Sequence, residues 1–208
     1  MKCPACSGSR DLRSDSFHGL RSAIWRLRLW ALLACLALGL HAASAAAGRP
    51  WILVDTKALS LTVYSSGNRV LARFHNIAIG SGGTAEIHRH GDETTPLGVF
   101  RVAWIDRHSR YGAFYGIDYP TARVARLAYA AGDISAAQLR AIVAAARAHR
   151  MPPANTPLGG QLGIHGIGAG DPRVQRNINW TNGCIALANG QMRRLSRWLG
   201  LGTKVVIR

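Results

Sequence analysis

The residue types best suited to chemistry in this sequence are one cysteine, Cys184, and one histidine, His165. A cysteine thiolate is a strong nucleophile. A nearby imidazole can lower the thiol pKa from its usual value of about 8.5, which holds the thiolate near neutral pH. Cys184 follows Gly183, and His165 stands between Ile164 and Gly166. This pairing predicts acyl transfer, in which a thioester forms on Cys184 and His165 moves the proton.

Residues 1–47 have the composition of an export leader. Arg21, Arg26 and Arg28 precede an apolar run at residues 29–40, and small residues with two Ala-x-Ala matches follow it. A basic flank, a short apolar stretch and a small-residue cleavage site form the pattern of a secretory signal. The run is shorter than the roughly 20 residues that span a bilayer, and an uncleaved N-terminal anchor is the alternative. We therefore predict a leader over residues 1–47 and one domain over residues 50–208.

Removal of this leader would leave Cys184 as a lone thiol, because Cys3, Cys6 and Cys35 all lie within it. Cys35 is a poor match to a lipid-attachment box, since the apolar run continues past it. Cys3 and Cys6 have no second pair at metal-binding spacing. A lone thiol in an exported protein forms an intermolecular disulfide, is kept for its reactivity, or is a small buried apolar residue. The presence of His165 favours the reactive thiol.

The remaining histidines and the glycine before the cysteine suggest further features of a site. His88 and His90 lie in a predicted loop, where they would be solvated or face a substrate. A metal site made of His88, His90 and Cys184 has poor spacing, so no metal site is predicted. Gly183 would let the backbone approach a substrate closely or adopt a positive φ. Backbone amides around Cys184 would then form an oxyanion hole.

The charge balance indicates an anionic partner. The chain has 26 Lys and Arg against 10 Asp and Glu, and the part after residue 47 has a net charge of +12. A basic exported domain is attracted to wall glycans, phosphate-bearing wall polymers or lipid headgroups. No nucleic-acid motif interleaves aromatic residues with these arginines, so nucleic acid is not a predicted partner. The content of 48% hydrophobic residues suits one globular domain with a core.

Short apolar and β-branched runs predict a strand-rich domain that positions the two side chains. Predicted strands lie at residues 51–79 (a hairpin or meander with a turn at 65–68), 99–105, 161–165 and 203–208. A helix is predicted over residues 132–150, with Asp133 or Ser135 as its cap. A shorter helix is predicted over residues 189–200. A mainly β fold with two inserted helices follows.

Two motifs closely resemble the signature of bacterial L,D-transpeptidases: Ile164-His165-Gly166, and residues 180–189 with the sequence Trp-Thr-Asn-Gly-Cys-Ile-Ala-Leu-Ala-Asn. The resemblance covers residues 51–208. Residues 91–102 are similar to the family's Gly-Asp-x-x-Thr-Pro-x-Gly segment, and residues 116–120 are similar to its Tyr-Pro stretch. The resemblance implies a mainly β, β-sandwich-like catalytic fold with two or three inserted or flanking helices. It also implies an enzyme of the periplasm or cell envelope that serves cell-wall organisation and cell shape.

The resemblance further implies a reaction and a role for each motif residue. Cys184 would be the nucleophile and His165 the general base and acid, with the Gly166 carbonyl orienting the imidazole. A tetrapeptide stem of peptidoglycan would acylate Cys184 and release D-Ala. A side-chain amine of a second stem would then form a 3-3 cross-link, without metal, nucleotide or other cofactor. The substrate-binding residues would be Gly166, Thr181, Asn182 and Gly183, the last three through backbone on the oxyanion side.

Two positions depart from the commonest form of the family motif, which has histidine before Gly-Cys and often arginine two residues after the cysteine. Asn182 and Ala186 occupy these positions and leave the substrate preference open. One alternative is an L,D-carboxypeptidase, or a hydrolase of wall-anchored bonds, with water as the acceptor. Another is a non-catalytic wall-binding module. Peptidoglycan stem peptides are the expected partner, and peripheral or anchored membrane association is a further expectation.

Overall fold

The computed structural model describes residues 48–208, so the leader predicted over residues 1–47 lies outside the described residues. Strands take up 32% of the described chain and helices 21%, which confirms the mainly β fold class. The strands are β1 (Trp51–Asp55), β2 (Ser60–Tyr64), β3 (Val70–His75), β4 (Thr84–Ala85), β5 (Thr95–Pro96), β6 (Gly98–Ser109), β7 (Gly112–Ile117), β8 (Gly163–Gly166), β9 (Ile185–Leu187) and β10 (Lys204–Ile207). The helices are α1 (Ala122–Ala130), α2 (Ala136–Arg147), α3 (Pro172–Asn177) and α4 (Asn189–Leu195).

One eight-stranded sheet organises the domain, with the strand order β3-β2-β1-β10-β6-β7-β8-β9. The first three strands are the predicted antiparallel meander. The long strand β6 pairs with β10 through its first residues and with β7 through its later ones, so it joins the two halves of the sheet. After β3, Ala78 and Gly80 bridge to Ala186 and Thr181. The chain that leaves one edge strand therefore also covers the other edge, at β9.

The core lies on one face of the strands β1, β2, β10 and β6. Successive side chains of a strand point to opposite faces, and in β1 and β10 every second residue is buried. In β2, Ser60 and Thr62 on the opposite face are buried as well. Full burial of a large aliphatic side chain stabilises the fold by roughly 1.5–3 kcal/mol. The buried residues of these strands include Ile52, Val54, Leu61, Val63, Phe100, Val205 and Ile207.

The two helices predicted over residues 132–150 and 189–200 are present as α2 and α4, and both are shorter than predicted. Of the two predicted caps, Ser135 begins α2: its hydroxyl accepts from the Gln138 backbone, and the Gln138 side chain accepts from the Ser135 backbone. Helix α1 was not predicted because its buried face is made mostly of small side chains, which give a weak helical periodicity. Helix α3 was not predicted because six residues are too few to show a helical periodicity. The described chain thus contains four helices, one more than the upper number expected.

No helix within residues 48–208 combines the length and the apolar character needed to cross a membrane.

Candidate active site

Strands β8 and β9 bring His165 and Cys184 to the same face of the sheet. The two strands are parallel, with Ile164 opposite Ile185 and His165 opposite Ala186. Because side chains alternate between faces, His165 and the residue before Ile185, which is Cys184, lie on the face opposite the buried Ile164. Both side chains line one cavity of about 450 Å³. The two predicted reactive residues are therefore placed in a common site.

The cavity is walled by the β6–β7 hairpin on one side and by the turn before β9 on the other. Of the four predicted substrate-binding residues, Thr181 and Asn182 line it, whereas Gly166 and Gly183 do not. Asn182 is exposed to solvent, and Gln161 closes the side near Cys184. The other lining residues are Trp104, Asp106, Ser109, Arg110, Tyr111, Phe114 and Trp180.

A backbone carbonyl fixes the tautomer of the His165 imidazole. Nδ1 lies 2.7 Å from the carbonyl oxygen of Gly166. A carbonyl oxygen only accepts, so Nδ1 carries the proton and Nε2 keeps its lone pair, as a general base requires. Burial lowers the pKa of His165, the hydrogen bond to Gly166 opposes this, and the charge of Arg110 lowers it further. The imidazole is therefore neutral near pH 7.

Three aromatic side chains hold the plane of this imidazole. Tyr111 stacks on it with ring centroids 4.2 Å apart, and Phe114 stacks at 5.4 Å. Trp180 meets its edge at 5.9 Å. A Cβ at Gly163 would lie 2.5 Å from the Phe114 ring, so glycine at that position makes room for the stack. No pattern in the sequence pointed to Tyr111 or Phe114.

Trp180 is the first residue of the second motif and lies next to the turn that carries Cys184. In the structure it lines the cavity and is only half buried. Its Nε1 donates to Oε1 of Gln175 over 3.0 Å. Gln175 itself is buried and donates to the carbonyl oxygens of Asn76 and Ala186. Trp180 is thus a wall of the cleft, and Gln175 fixes its position.

The Cys184 thiol is not the imidazole-stabilised thiolate that the sequence suggested. Burial raises its pKa from 9.0 to about 11, and the N–H of Gly163 only partly opposes this. Sγ lies 3.9 Å from the carbonyl oxygen of Gln161, and no hydrogen bond joins it to His165 within the described chain. The resting pair is therefore a neutral thiol and a neutral imidazole. Hydrogen bonds between catalytic groups often form fully only when substrate is bound.

The turn before β9 is closed by the hydroxyl of Thr181. This hydroxyl donates to the carbonyl oxygen of Cys184 over 2.7 Å and accepts from the N–H of Gly183 over 3.3 Å. The Thr181 hydroxyl and the Gly183 N–H therefore shape the turn and are not free to bind a substrate. Within residues 48–208, the backbone N–H groups of Asn182 and Cys184 donate to no protein atom. These two amides are the ones left for an oxyanion.

Gly183 is required by a backbone contact behind the turn. Its φ is +112°, and a Cβ there would lie 2.5 Å from the carbonyl oxygen of Thr94. Of the two reasons proposed for this glycine, the structure supports the unusual φ. A side chain at this position would push Cys184 out of place.

Residues 88–95 pack against the turn before β9 and hold it in place. The buried Thr95 hydroxyl donates to the carbonyl oxygen of Gly183 over 3.0 Å and accepts from the N–H of Gly80 over 2.8 Å. His88 is 4% exposed, its Nδ1 lies 2.7 Å from the carbonyl oxygen of Thr94, and burial lowers its pKa. The prediction that His88 is solvated or faces a substrate is therefore wrong. The Gly-Asp-x-x-Thr-Pro resemblance was the only signal for this support.

A residue at the end of the second motif fixes the loop that follows His165. The Asn189 side chain accepts from the N–H of Gly168 over 3.0 Å and donates to its carbonyl oxygen over 2.7 Å. No role was predicted for Asn189, although the motif that resembles the family ends on it. Among residues 48–208, no three or more His, Cys, Asp or Glu side chains are grouped to hold a metal ion.

Comparison with known proteins agrees with the geometry of the site. The YkuD family model, an L,D-transpeptidase catalytic domain, matches residues 49–207. Similar folds include the helical cell shape determining protein Pgp2 from Campylobacter jejuni (TM-score 0.52, 18% identity, 77% of this chain and 47% of that chain). They also include Bd1075 from Bdellovibrio bacteriovorus (TM-score 0.50, 19% identity, 79% and 49%).

The chain spans about half the length of these two proteins, and identities this low show the fold alone. Comparison with curated proteins gave no significant match. The family model, however, covers nearly all the described residues, including both strands that carry the motif. The chain therefore belongs to the YkuD family of L,D-transpeptidase catalytic domains.

Proposed function

We propose that this protein is a peptidoglycan L,D-transpeptidase that uses Cys184 as its nucleophile. The observation that carries the proposal is the shared cavity of Cys184 and His165, into which the imidazole faces as a neutral base. In the proposed first step, Nε2 of His165 takes the thiol proton as Sγ attacks a carbonyl carbon. A thiol with a raised pKa gives up its proton only as the new bond forms. Proton transfer to Nε2 of His165 and attack by Sγ of Cys184 therefore occur in one step.

The substrate bond in this proposal is the amide between the L-centre of the third stem residue and the terminal D-Ala. The N–H groups of Asn182 and Cys184 would stabilise the oxyanion of the tetrahedral intermediate. His165 then protonates the departing nitrogen of D-Ala, and a thioester remains on Cys184. A side-chain amine of a second stem attacks this thioester and gives its proton to His165. The C–S bond breaks, His165 returns the proton to Sγ of Cys184, and a 3-3 cross-link is complete. These steps use only side chains and backbone of the protein.

The test is product analysis of the full chain with a disaccharide-tetrapeptide. We expect mass spectrometry to show free D-Ala and a dimer of stems, and neither product with Cys184→Ala. His165→Ala should slow acylation by about 10²–10⁴-fold, the usual contribution of a general base. Tripeptide without dimer would identify the enzyme as an L,D-carboxypeptidase. Full turnover by Cys184→Ala would overturn the proposal and favour a wall-binding module.

We also propose that residues 1–47 export the protein to the periplasm or cell envelope, where its substrate lies. The support is the sequence pattern of the leader and the net charge of +12 that follows it, which suits an anionic envelope. Fractionation of cells that express the full chain should recover the protein outside the cytoplasm. A chain lacking residues 2–47 behind the initiating Met should remain inside. Equal location of both forms would contradict this role of the leader.

A further inference from the structure

The guanidinium group of Arg110 lies next to the candidate active site, close to the His165 imidazole. Arg110 lies in the turn between β6 and β7, and it lines both the cavity of Cys184 and an adjoining one of about 340 Å³. Its Nη2 donates to the Tyr111 hydroxyl over 2.7 Å, and Cζ lies 4.8 Å from the centre of the Tyr111 ring. Tyr111 in turn stacks on His165. The positive charge is therefore held next to the histidine.

No acidic side chain of the described residues neutralises this charge. The ion pairs of arginines in residues 48–208 are Arg89–Asp133, Arg123–Glu86, Arg173–Asp171 and Arg208–Asp55. Asp106 also lines the main cavity, but its carboxylate accepts from the backbone N–H of His108. An unpaired guanidinium in a cavity with aromatic walls is a binding group for a carboxylate or another planar anion.

The hairpin tip that carries Arg110 is fixed relative to His165 by close backbone contacts. A Cβ at Gly168 would lie 2.2 Å from the carbonyl oxygen of Arg110. A Cβ at Gly166 would lie 2.9 Å from the carbonyl oxygen of Tyr111. The two glycines after His165 therefore let the tip pack directly on the histidine loop. Arg110 is anchored to the same backbone that holds the imidazole.

We propose that Arg110 binds the free carboxylate of the terminal D-Ala and so selects stems that end in an acid. This inference rests on the proposed function. In that reaction His165 must reach the nitrogen of the leaving residue, and only one carbon separates this nitrogen from the terminal carboxylate. A cation next to the imidazole thus lies on the side of the scissile bond where that carboxylate must lie.

The test compares two substrates: a disaccharide-tetrapeptide that ends in D-Ala, and the same compound as its terminal carboxamide. A charge-assisted hydrogen bond predicts that wild-type kcat/KM is about 10–100-fold higher for the acid. Arg110→Gln should lose this factor for the acid, so that the acid and the amide have similar kcat/KM. Arg110→Lys should restore part of the preference for the acid. Equal loss for both substrates in Arg110→Gln would overturn the inference.

Arg107→Gln is the matched control, because Arg107 is exposed on the same hairpin and lines neither cavity. It should behave as wild type with both substrates. A second readout is the acid limb of kcat/KM against pH. Removal of the cation raises the pKa of His165, so this limb should move to higher pH in Arg110→Gln only. An unmoved limb together with undiminished selectivity would also overturn the inference.

A binding measurement separates this inference from the proposed function. The affinity of Cys184→Ala for the acid and the amide is compared with that of Cys184→Ala/Arg110→Gln by calorimetry. Preference for the acid that disappears with Arg110 would support the carboxylate site, even if wild type showed no turnover and the proposed function failed. Equal wild-type turnover of both substrates would support the proposed transpeptidase activity and contradict carboxylate binding by Arg110.

Discussion

The two halves of the sheet both bury apolar side chains and differ in their polar contacts. In β1 and β2, alternate apolar side chains such as Ile52 and Leu61 are completely buried, and the backbone ladder is regular. Around β8 and β9 the apolar side chains are also buried, and polar side chains bind the backbone in addition. Thr95 and Thr181 hold the turn of the nucleophile, and Asn189 holds the loop after the histidine. Apolar burial in both halves drives folding. The polar contacts of the second half also fix the positions of the reactive atoms.

Three glycines next to the reactive pair are closely packed. At Gly163, Gly166 and Gly183 a Cβ would come within 2.6 Å of another residue, whereas at Gly67, in the β2–β3 turn, it would meet nothing closer than 3.9 Å. The hydrophobic effect is non-directional, so a core of aliphatic side chains does not by itself position one atom within an ångström. Hydrogen bonds and close backbone contacts have defined geometry and can do so. Stability should therefore depend on both halves, and activity on the second.

The largest effect on stability is expected in the first half. Ile52→Ala should lower the free energy of unfolding by about 2–5 kcal/mol, because it removes a fully buried side chain and leaves a cavity. The kcat of the molecules that remain folded should not change. Urea unfolding and turnover at low urea check both parts. Val99→Ala, at a residue that is 60% exposed, is the control and should leave stability within about 0.5 kcal/mol.

The reactivity of Cys184 tests whether burial keeps its thiol protonated near pH 7. A pKa raised from 9.0 to about 11 makes the thiolate about 100-fold scarcer near pH 7. Alkylation of the folded chain should therefore be slow at pH 7 and rise with pH through the alkaline range, measured on the tryptic peptide 177–193. His165→Gln should leave the rate at pH 7 unchanged. Fast alkylation that slows in His165→Gln would instead indicate a thiolate paired with a charged imidazole.

The third effect should appear in activity. Gly183→Ala places a Cβ against the carbonyl oxygen of Thr94 at a positive φ, which displaces Cys184. Misplacement of a nucleophile by about 1 Å can cost about 10²-fold, so acylation should fall by this order. Single-turnover acylation with a carbapenem measures it. Gly67→Ala, which meets no close neighbour, should acylate as wild type. An active Gly183→Ala would show that the turn tolerates displacement.

The smallest effect is expected at Thr95, whose hydroxyl joins Gly80, in the segment after β3, to Gly183, in the turn before β9. Thr95→Val leaves the N–H of Gly80 and the carbonyl oxygen of Gly183 without their partner, which should cost about 1–3 kcal/mol. Acylation should fall by less than in Gly183→Ala, since the glycine keeps its conformation. Urea unfolding and carbapenem acylation are measured together. Thr95→Ser keeps the hydroxyl and should restore acylation; if it does not, Thr95 acts by packing alone.

Much of this design could be predicted from the sequence. The alternating apolar runs of β1, β2 and β10 predicted strands because burial on one face requires that period. Ser135 could be predicted as one of two candidate caps of α2 because the hydrogen bonds of a cap are local. The motif at His165 and Cys184 could be identified because its residues are close in sequence within each strand. Helices α1 and α3 lacked such signals.

What only the tertiary structure decided is the environment of the reactive pair. The sequence alone determined which two side chains belong together. It did not determine that Phe114 and Tyr111 enclose the imidazole, that His88 and Thr95 support Gly183, or that burial keeps the thiol protonated. These features arise from contacts between segments far apart in the chain, and no local pattern of residues specifies which distant segments meet. The pKa of a group depends on its desolvation and its neighbours, which exist only once the chain has folded.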